Sequence, residues 1–305
     1  MALVTADFLA GALTNYRAIF QKALSEGFLN SNDYLKIATV FNSTSDREAF
    51  NWLGENPSLS EWKDQRQLHG LRAESYTLVN KHYEATIEVD RDTYEDDKLG
   101  MIRPRIQGLA TAALRYYNER VFSQLDDGES LYGYDTSYYF FADTRVIGNS
   151  ANIDNLIEMA CSGSADEIRA AIAAAQEKMR LFQDDWGKPM NLTPDTIVCA
   201  PEMEIAIKSA LLAGVAGTVR PEVAFVKDII VSPWIDLDAT DWYMLCTTGS
   251  VKPLIFVLRK APEFVALDNP KGDHVFKNKT FLYGVDTRFQ VGFGDPRTAV
   301  KLKDV

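Results

Sequence analysis

The apolar residues of this chain change their spacing once, from every second position to every third or fourth. Between His82 and Asp90 apolar and polar side chains alternate, which is typical of a strand with one buried face. Further on, apolar residues recur at helical spacing and would form one stripe along a long helix: Ile102, Ile106, Leu109, Ala113, Tyr117 and Val121. Acidic residues precede that stripe, where a helix N-terminus favours negative charge: Asp92, Glu95, Asp96 and Asp97. The pattern predicts a strand followed by a long amphipathic helix.

The same spacing arguments predict further elements. An amphipathic helix is expected from about Asp7 to Ser25, with Phe8 and Tyr16 on its apolar face and Gly27 as its stop. Ser164 and Glu167 form a capping-box pattern at the start of another helix, and a helix after Pro201 is expected to reach about Ala213. Short strands are expected at residues 196–199, 222–231, 242–247, 254–258 and 285–291. The mixture predicts an α+β protein.

The segment from Asn42 to Asn80 has a different composition, with charged and polar residues, turn formers and scattered aromatic rings. A compact domain rarely contains so long a stretch with so little core pattern. Taken by itself, the segment is interpreted as a decorated surface hairpin.

Length and composition limit the class of protein. The 305 residues suffice for one large domain or two ordinary ones, and the apolar and charged fractions are those of a soluble globular protein. No apolar run approaches the roughly 20 residues that span a bilayer, and the N-terminus lacks the basic start of a signal peptide. We therefore expect synthesis in the cytoplasm and no membrane partner. A net charge of -11 argues against a protein that recognises nucleic acid by phosphate contacts. An acidic wall could still surround DNA.

The search for chemistry gives little. Cys161, Cys199 and Cys246 stand far apart among apolar residues, so we expect buried reduced thiols. No histidine has a metal-ligand spacing, and no phosphate-binding loop or nucleophile motif occurs. The carboxylates near the turn at residues 236–241 lack the glycine and glutamate of an EF-hand, which favours a solvated turn over a calcium site. The acid pairs Asp96/Asp97 and Asp184/Asp185 are not expected to converge on one substrate. No enzyme, cofactor or metal is predicted.

Several stretches resemble a known family when they are taken together. Four regions resemble the Mu-like prophage major head subunit family of tailed-phage capsid proteins. They are the run VDRDTYEDDKLG with the preceding YTLVNKHYEATI, the stretch from Tyr34 to Trp62, the stretch from Lys252 to Phe276, and the stretch from Tyr283 to Lys301. The resemblance covers both ends and about half of the chain. Its specificity lies in several motifs in the right order, and none of them is catalytic.

The resemblance implies an α+β chain with the Hong Kong 97-type capsid fold. It implies an N-terminal arm at residues 1–41, an extended loop at 42–82, a peripheral domain with a spine helix at 83–195, an axial domain at 196–268, and a return to the peripheral domain at 269–305. In such a capsid protein the segment from Asn42 to Asn80 would be an extended loop that lies over the adjacent subunit, with Trp52 and Trp62 as its anchors. The candidate contacts between subunits are Trp52, Trp62, Arg47, Arg66, Phe8 and Tyr16.

The resemblance also implies partners. Copies of the chain would form pentamers and hexamers of an icosahedral shell around packaged double-stranded DNA, without sequence-specific binding and within the bacterial host cytoplasm. Because capsid-like sequence begins almost at residue 1, a separate scaffold protein is expected, together with a portal. Two alternatives stay open: an encapsulin-type nanocompartment that encloses a cargo enzyme, and an acidic hydrolase that uses carboxylates such as Asp96 or Asp185.

Overall fold

The computed structural model describes residues 6–28, 31–50, 76–95, 100–134, 137–148, 150–212, 223–235, 238–249, 251–269 and 271–305. The helices are α1 (Ala6–Glu26), α2 (Tyr34–Ile37), α3 (Arg91–Glu95), α4 (Ile102–Asp126), α5 (Ala165–Leu181), α6 (Glu204–Leu211) and α7 (Asp273–Asn278). The strands are β1 (Ala38–Asn42), β2 (Arg47–Phe50), β3 (Tyr76–Val79), β4 (Lys81–Asp90), β5 (Leu156–Glu158), β6 (Thr196–Cys199), β7 (Asp228–Val231), β8 (Trp242–Leu245), β9 (Leu254–Leu267), β10 (Thr280–Phe293) and β11 (Ala299–Lys303).

A four-stranded sheet in the order β1-β9-β10-β4 carries α1 and α4 on one face. Strands β4 and β10 pair antiparallel from Lys81/Phe289 to Asp90/Thr280, and β1 pairs parallel with the first third of β9. The helix stripe of α4 is buried against this sheet: Ile102, Ile106, Leu109, Ala113, Tyr117 and Val121. The face opposite the helices is lined by alternating exposed residues of β4, as the period of two predicts.

A five-stranded sheet in the order β5-β11-β8-β6-β7 is covered on both faces. Every residue of β6 and β8 is buried. On one side Ile197, Trp242 and Met244 pack with α5 and α6, and on the other Val198 and Tyr243 pack with the C-terminal half of α4. Continuous apolar runs such as TIVC and WYML are therefore required here, because neither face is solvated.

A small antiparallel hairpin, β2 with β3, lies against the end of β10. Tyr76 Oη accepts a hydrogen bond from the backbone N–H of Phe293 at 3.1 Å. Gly292 permits this approach, since a Cβ there would lie 2.6 Å from Leu78 and 2.7 Å from Tyr76 Oη. The hairpin thus fixes both ends of residues 51–75 on the body of the subunit.

Most predicted elements are confirmed, with changes at their ends. The first helix, the strand at 82–90, the stripe of α4 and the capping box at Ser164/Glu167 are present. The strands predicted at 254–258 and 285–291 are parts of two much longer strands, Leu254–Leu267 and Thr280–Phe293. The helix predicted to reach Ala213 ends at Leu211 after a 3-10 turn at Pro201–Met203.

One expectation needs correction. Asp92 lies in the separate helix α3 and not at the start of α4, and the first turn of α4 holds no acid. Asp96 and Asp97 fall outside the described residues. Gly100, at φ 67°, separates α4 from the preceding helix.

Each sheet draws its strands from several of the predicted linear segments, whose boundaries stay a prediction. The five-stranded sheet combines β5, β6, β7, β8 and β11, which come from three of those segments, while β9 joins the sheet of β4. Hydrogen-bond partners far apart in sequence decide this membership, and a linear boundary cannot express it.

Candidate assembly surfaces

The predicted contact residues lie in different parts of the subunit. Trp52, Trp62 and Arg66 fall outside the described residues, and Phe8 belongs to α1 with its side chain outside them. Arg47 is exposed on β2, at the base of the segment that contains the two tryptophans. The described residues therefore leave only Arg47 as a visible surface candidate from the predicted set.

Tyr16 is covered by its own subunit. Its ring packs edge-on against Tyr283 at 5.5 Å between centroids, and the side chain is buried. Phe20, one turn further along α1, packs against Phe264. These contacts bury Tyr16 within its own subunit, because α1 closes the core beneath the four-stranded sheet. A contact of Tyr16 between subunits stays a prediction.

Two apolar side chains are exposed that the sequence did not identify as surface residues. Phe276 on α7 is 84% exposed, and Ile205 on α6 is 80% exposed. Large apolar groups exposed to this degree are candidates for contact with another chain. Their short helices give too few residues for a periodicity argument to separate the buried face from the exposed one.

The bare face of the four-stranded sheet carries charge. Lys260 lies 2.6 Å from Asp286 and 2.8 Å from Glu263, and His82 also pairs with Asp286. Burial would raise the pKa of Asp286, but its bonds to Lys260 and His82 outweigh burial and lower it. With Glu84 and Glu88 exposed on β4, this face is polar and largely acidic around a few apolar residues such as Val265.

A buried ion-pair junction attaches the C-terminal strand to the rest of the fold. Lys301 Nζ lies 2.8 Å from Asp241 Oδ2 and 2.5 Å from Glu129 Oε1, and Tyr243 Oη donates to Asp126 at 2.6 Å. Burial raises the pKa of Asp241. Burial would lower the pKa of Lys301, but its bonds to Asp241 and Glu129 raise it. Asp241 is therefore not part of a solvated turn, as the sequence suggested, but a buried partner of Lys301.

A second buried cation, Arg297, joins two segments that are distant in sequence. It bonds to both carboxylate oxygens of Asp295, to Asp185 at 3.2 Å and to the carbonyl of Gln183 at 3.3 Å. Asp184 instead accepts hydrogen bonds from the backbone N–H groups of Trp186 and Lys188. The pair Asp184/Asp185 thus serves a turn and an ion pair, and the two carboxylates face different partners.

The described residues hold no cluster of histidine, cysteine and carboxylate side chains able to bind a metal ion. Cys161, Cys199 and Cys246 are buried free thiols, as predicted. Burial raises the pKa of Cys161 and of Cys199 to about 12. These thiols are protonated at neutral pH and unsuited to nucleophilic chemistry. None of the helices that the structure describes is long and apolar enough to cross a membrane.

Comparison with known proteins relates the whole chain to phage heads. The sequence matches the family described as Mu-like prophage major head subunit gpT over residues 9–167, 155–235 and 227–305. It is 28% identical to the Mu-like prophage FluMu major head subunit of Haemophilus influenzae, across 96% of this chain and 72% of that protein. It is 27% identical to the major capsid protein of Escherichia phage Mu, across 99% and 75%.

Solved structures agree. The fold is similar to that in the procapsid of bacteriophage JBD30, with a TM-score of 0.60, 26% identity, and coverage of 98% of this chain and 75% of the other. The mature capsid of bacteriophage PhiM1 gives a TM-score of 0.60 at 14% identity, with coverage of 89% of this chain and 86% of the other. The virus-like particle from Pyrococcus furiosus gives a TM-score of 0.54 at 15% identity, with coverage of 94% of this chain and 98% of the other. Because the family matches almost the whole sequence, this chain belongs to the Mu-like prophage major head subunit family and is a major capsid protein with the Hong Kong 97-type fold.

Proposed function

We propose that copies of this chain assemble into pentamers and hexamers, and that these close into an icosahedral shell around double-stranded DNA. The family match along nearly the full sequence carries this proposal. The similarity to a procapsid subunit across 98% of the chain supports it. Such a shell requires each contact surface to tolerate several slightly different neighbours.

The remaining partners follow from charge and from the resemblance. With a net charge of -11 the chain would surround DNA without reading its sequence, since tight phosphate binding needs clustered basic residues. A separate scaffold protein and a portal would direct assembly and DNA entry in the host cytoplasm. No membrane takes part in this scheme.

The chain acts in this proposal as a structural protein without catalysis. Asp185, a candidate for the hydrolase alternative, is bonded to Arg297. The three cysteines are buried, and burial raises the pKa of Cys161 and Cys199. A capsomer preparation that turned over a substrate and lost the activity on Asp185→Asn would contradict this view.

We propose that residues 42–82 act as an extended loop toward a neighbouring subunit, with Trp52, Trp62, Arg47 and Arg66 among its contacts. The β2–β3 hairpin supports the proposal, because it fixes both ends of residues 51–75 on one subunit. Trypsin should cut unassembled protein first at basic sites in this stretch and should cut shells more slowly there. Equal cleavage in both forms would remove the loop from the interface.

Electron microscopy of the chain expressed with and without neighbouring phage genes tests the assembly proposal directly. Closed shells that protect phage DNA from nuclease are expected with those genes. The alternative is an encapsulin-type compartment that encloses a cargo enzyme in place of DNA. Shells that contain a cargo enzyme and no protected DNA would favour that alternative.

A further inference from the structure

Strand β4 has a free edge. It pairs with β10 along all ten residues, Lys81–Asp90, without a shift in register. On its other side no strand pairs with it among the described residues, and no backbone group of 82–89 has a hydrogen bond to a loop there. Proteins protect such an edge with proline, a bulge, a very short strand or charged side chains. β4 has no proline and is long and regular, and charged side chains such as Glu84 and Glu88 are the one protective feature that it carries.

An open groove runs beneath this edge, between β4 and α4. Its volume is about 490 Å³. Ala85, Ala112 and Ala113 leave the space open because their side chains are short, and the rings of Tyr83 and Tyr116, 5.0 Å apart, form part of the wall. The remaining lining residues are His82, Glu84, Val285 and Thr287.

We propose that an extended segment of a second copy of this chain pairs with the free edge of β4 and places alternate side chains in the groove. Strand addition supplies main-chain hydrogen bonds, and every second side chain can enter one pocket. The groove favours apolar side chains of small to medium size. The other side chains of the segment would lie beside Glu84 and Glu88 on the bare face, where basic or neutral polar groups fit best.

A second copy is the occupant that the observations favour, and the inference rests on the proposed shell function. The family is one of major head subunits, and the JBD30 relative is a procapsid subunit. A chain that must meet many copies of itself can leave a strand edge unprotected, because assembly covers it. A scaffold protein bound at the same edge is the competing outcome.

The first experiment blocks the groove. Ala112 is exposed on α4, so Ala112→Glu should leave the fold intact while placing a charged side chain in the groove. Ala173→Glu, at an exposed position of α5, is the matched control. The circular dichroism spectrum and the melting temperature of both variants should match those of the wild type. Shell yield by electron microscopy should fall at least about tenfold for Ala112→Glu only, equivalent to about 1.4 kcal/mol.

The second experiment identifies the occupant. Ala112→Cys, labelled with a benzophenone maleimide, should react selectively because Cys161, Cys199 and Cys246 are buried. Irradiated shells should contain crosslinks between two copies, which unassembled subunits lack, and mass spectrometry of the crosslinked peptide names the segment. Hydrogen exchange at residues 83–89 should slow on assembly.

The outcomes separate this inference from the shell function. Wild-type shells with unchanged exchange at 83–89, or with crosslinks only within one chain or to a scaffold protein, would overturn the inference and leave the shell intact. Absence of wild-type shells in the presence of the neighbouring phage genes would overturn the proposed function itself.

Discussion

The two large sheets of this subunit differ in how many faces they bury. In the five-stranded sheet β6 and β8 are buried at every position, between α5 and α6 on one side and α4 on the other. In the four-stranded sheet β4 alternates between helix-facing residues and exposed ones. A sheet buried on both faces is committed to the interior of its subunit. A sheet buried on one face keeps a surface and an edge that a neighbour can use, so the four-stranded sheet is the better candidate for assembly.

The largest loss of stability should come from a charge placed in the five-stranded sheet, and a charge on the exposed face of the four-stranded sheet is the comparison. Val198→Lys places an unpaired ammonium in β6, where both faces are packed, and should cost more than about 4 kcal/mol of unfolding free energy. Thr86→Lys on the exposed face of β4 should change stability by less than about 1 kcal/mol. Urea denaturation of both variants measures the difference. Similar losses would show that the bare face of β4 is covered within the subunit.

The buried face of the four-stranded sheet should be as intolerant as the other core. Leu109→Asp places a charge in the stripe of α4 and should prevent soluble capsomers, because an uncompensated buried charge costs several kcal/mol, roughly 3–5. Gln107→Glu, on the exposed face of the same helix, should assemble normally. Size-exclusion chromatography and electron microscopy distinguish the two. Normal shells from Leu109→Asp would mean that the helix face was assigned wrongly.

At the ion-pair junction, removal of the buried lysine should cost more stability than removal of the half-exposed one. Lys301→Met leaves Asp241 buried without its cation and should cost about 3 kcal/mol or more. Lys303→Met removes a half-exposed lysine that shares Glu129 and should cost at most about 1 kcal/mol. Thermal melts of both variants test this. Equal losses would mean that burial is not what makes Lys301 important.

The same junction gives a pH dependence. The pKa of Lys301 is raised in the folded state above its ordinary value of 10.5, so its contribution is complete below pH 10.5 and is lost as the pH rises through the folded value. Above neutral pH, the stability gap between wild type and Lys301→Met should therefore narrow only beyond pH 10.5. On the acid side the gap should also narrow, because burial raises the pKa of Asp241 and its protonation removes the unpaired charge in the variant. A gap that narrowed on mild alkaline titration, below pH 10.5, would contradict this assignment.

The smallest effect concerns the hairpin at the base of the proposed loop. Gly292→Ala would force a Cβ to within 2.6 Å of Leu78 and should displace β3, at a cost of about 1–3 kcal/mol. Gly108→Ala, on the exposed face of α4 with open space around it, should instead stabilise by up to about 1 kcal/mol. Melting temperatures give the sign for each. Stabilisation by Gly292→Ala would show that the hairpin does not pack closely on β10.

Prediction from the sequence succeeded where one element carries its own periodicity. The alternation of β4 and the stripe of α4 are local patterns, and both are confirmed. Prediction was weaker where a strand is short or where its hydrogen-bonded partner strand is distant in sequence. β1 and β11 are only five residues long, too short for an alternation to identify them, and they are strands because β9 and β8 lie beside them. Tyr16 shows the same limit of local pattern: it lies on the apolar face of its helix, as expected, but it packs against Tyr283 of its own subunit.

The sequence by itself determined the helix and strand periods, the buried reduced cysteines and the family resemblance, because each is carried by residues close together along the chain. Tertiary structure alone decided which strands share a sheet, which carboxylates meet Lys301 and Arg297, and which edge and groove stay open. These depend on residues far apart in sequence, whose pairing follows from packing and not from any local pattern. For the same reason Asp241 looked like part of a solvated turn in the sequence and proved to be the buried partner of Lys301.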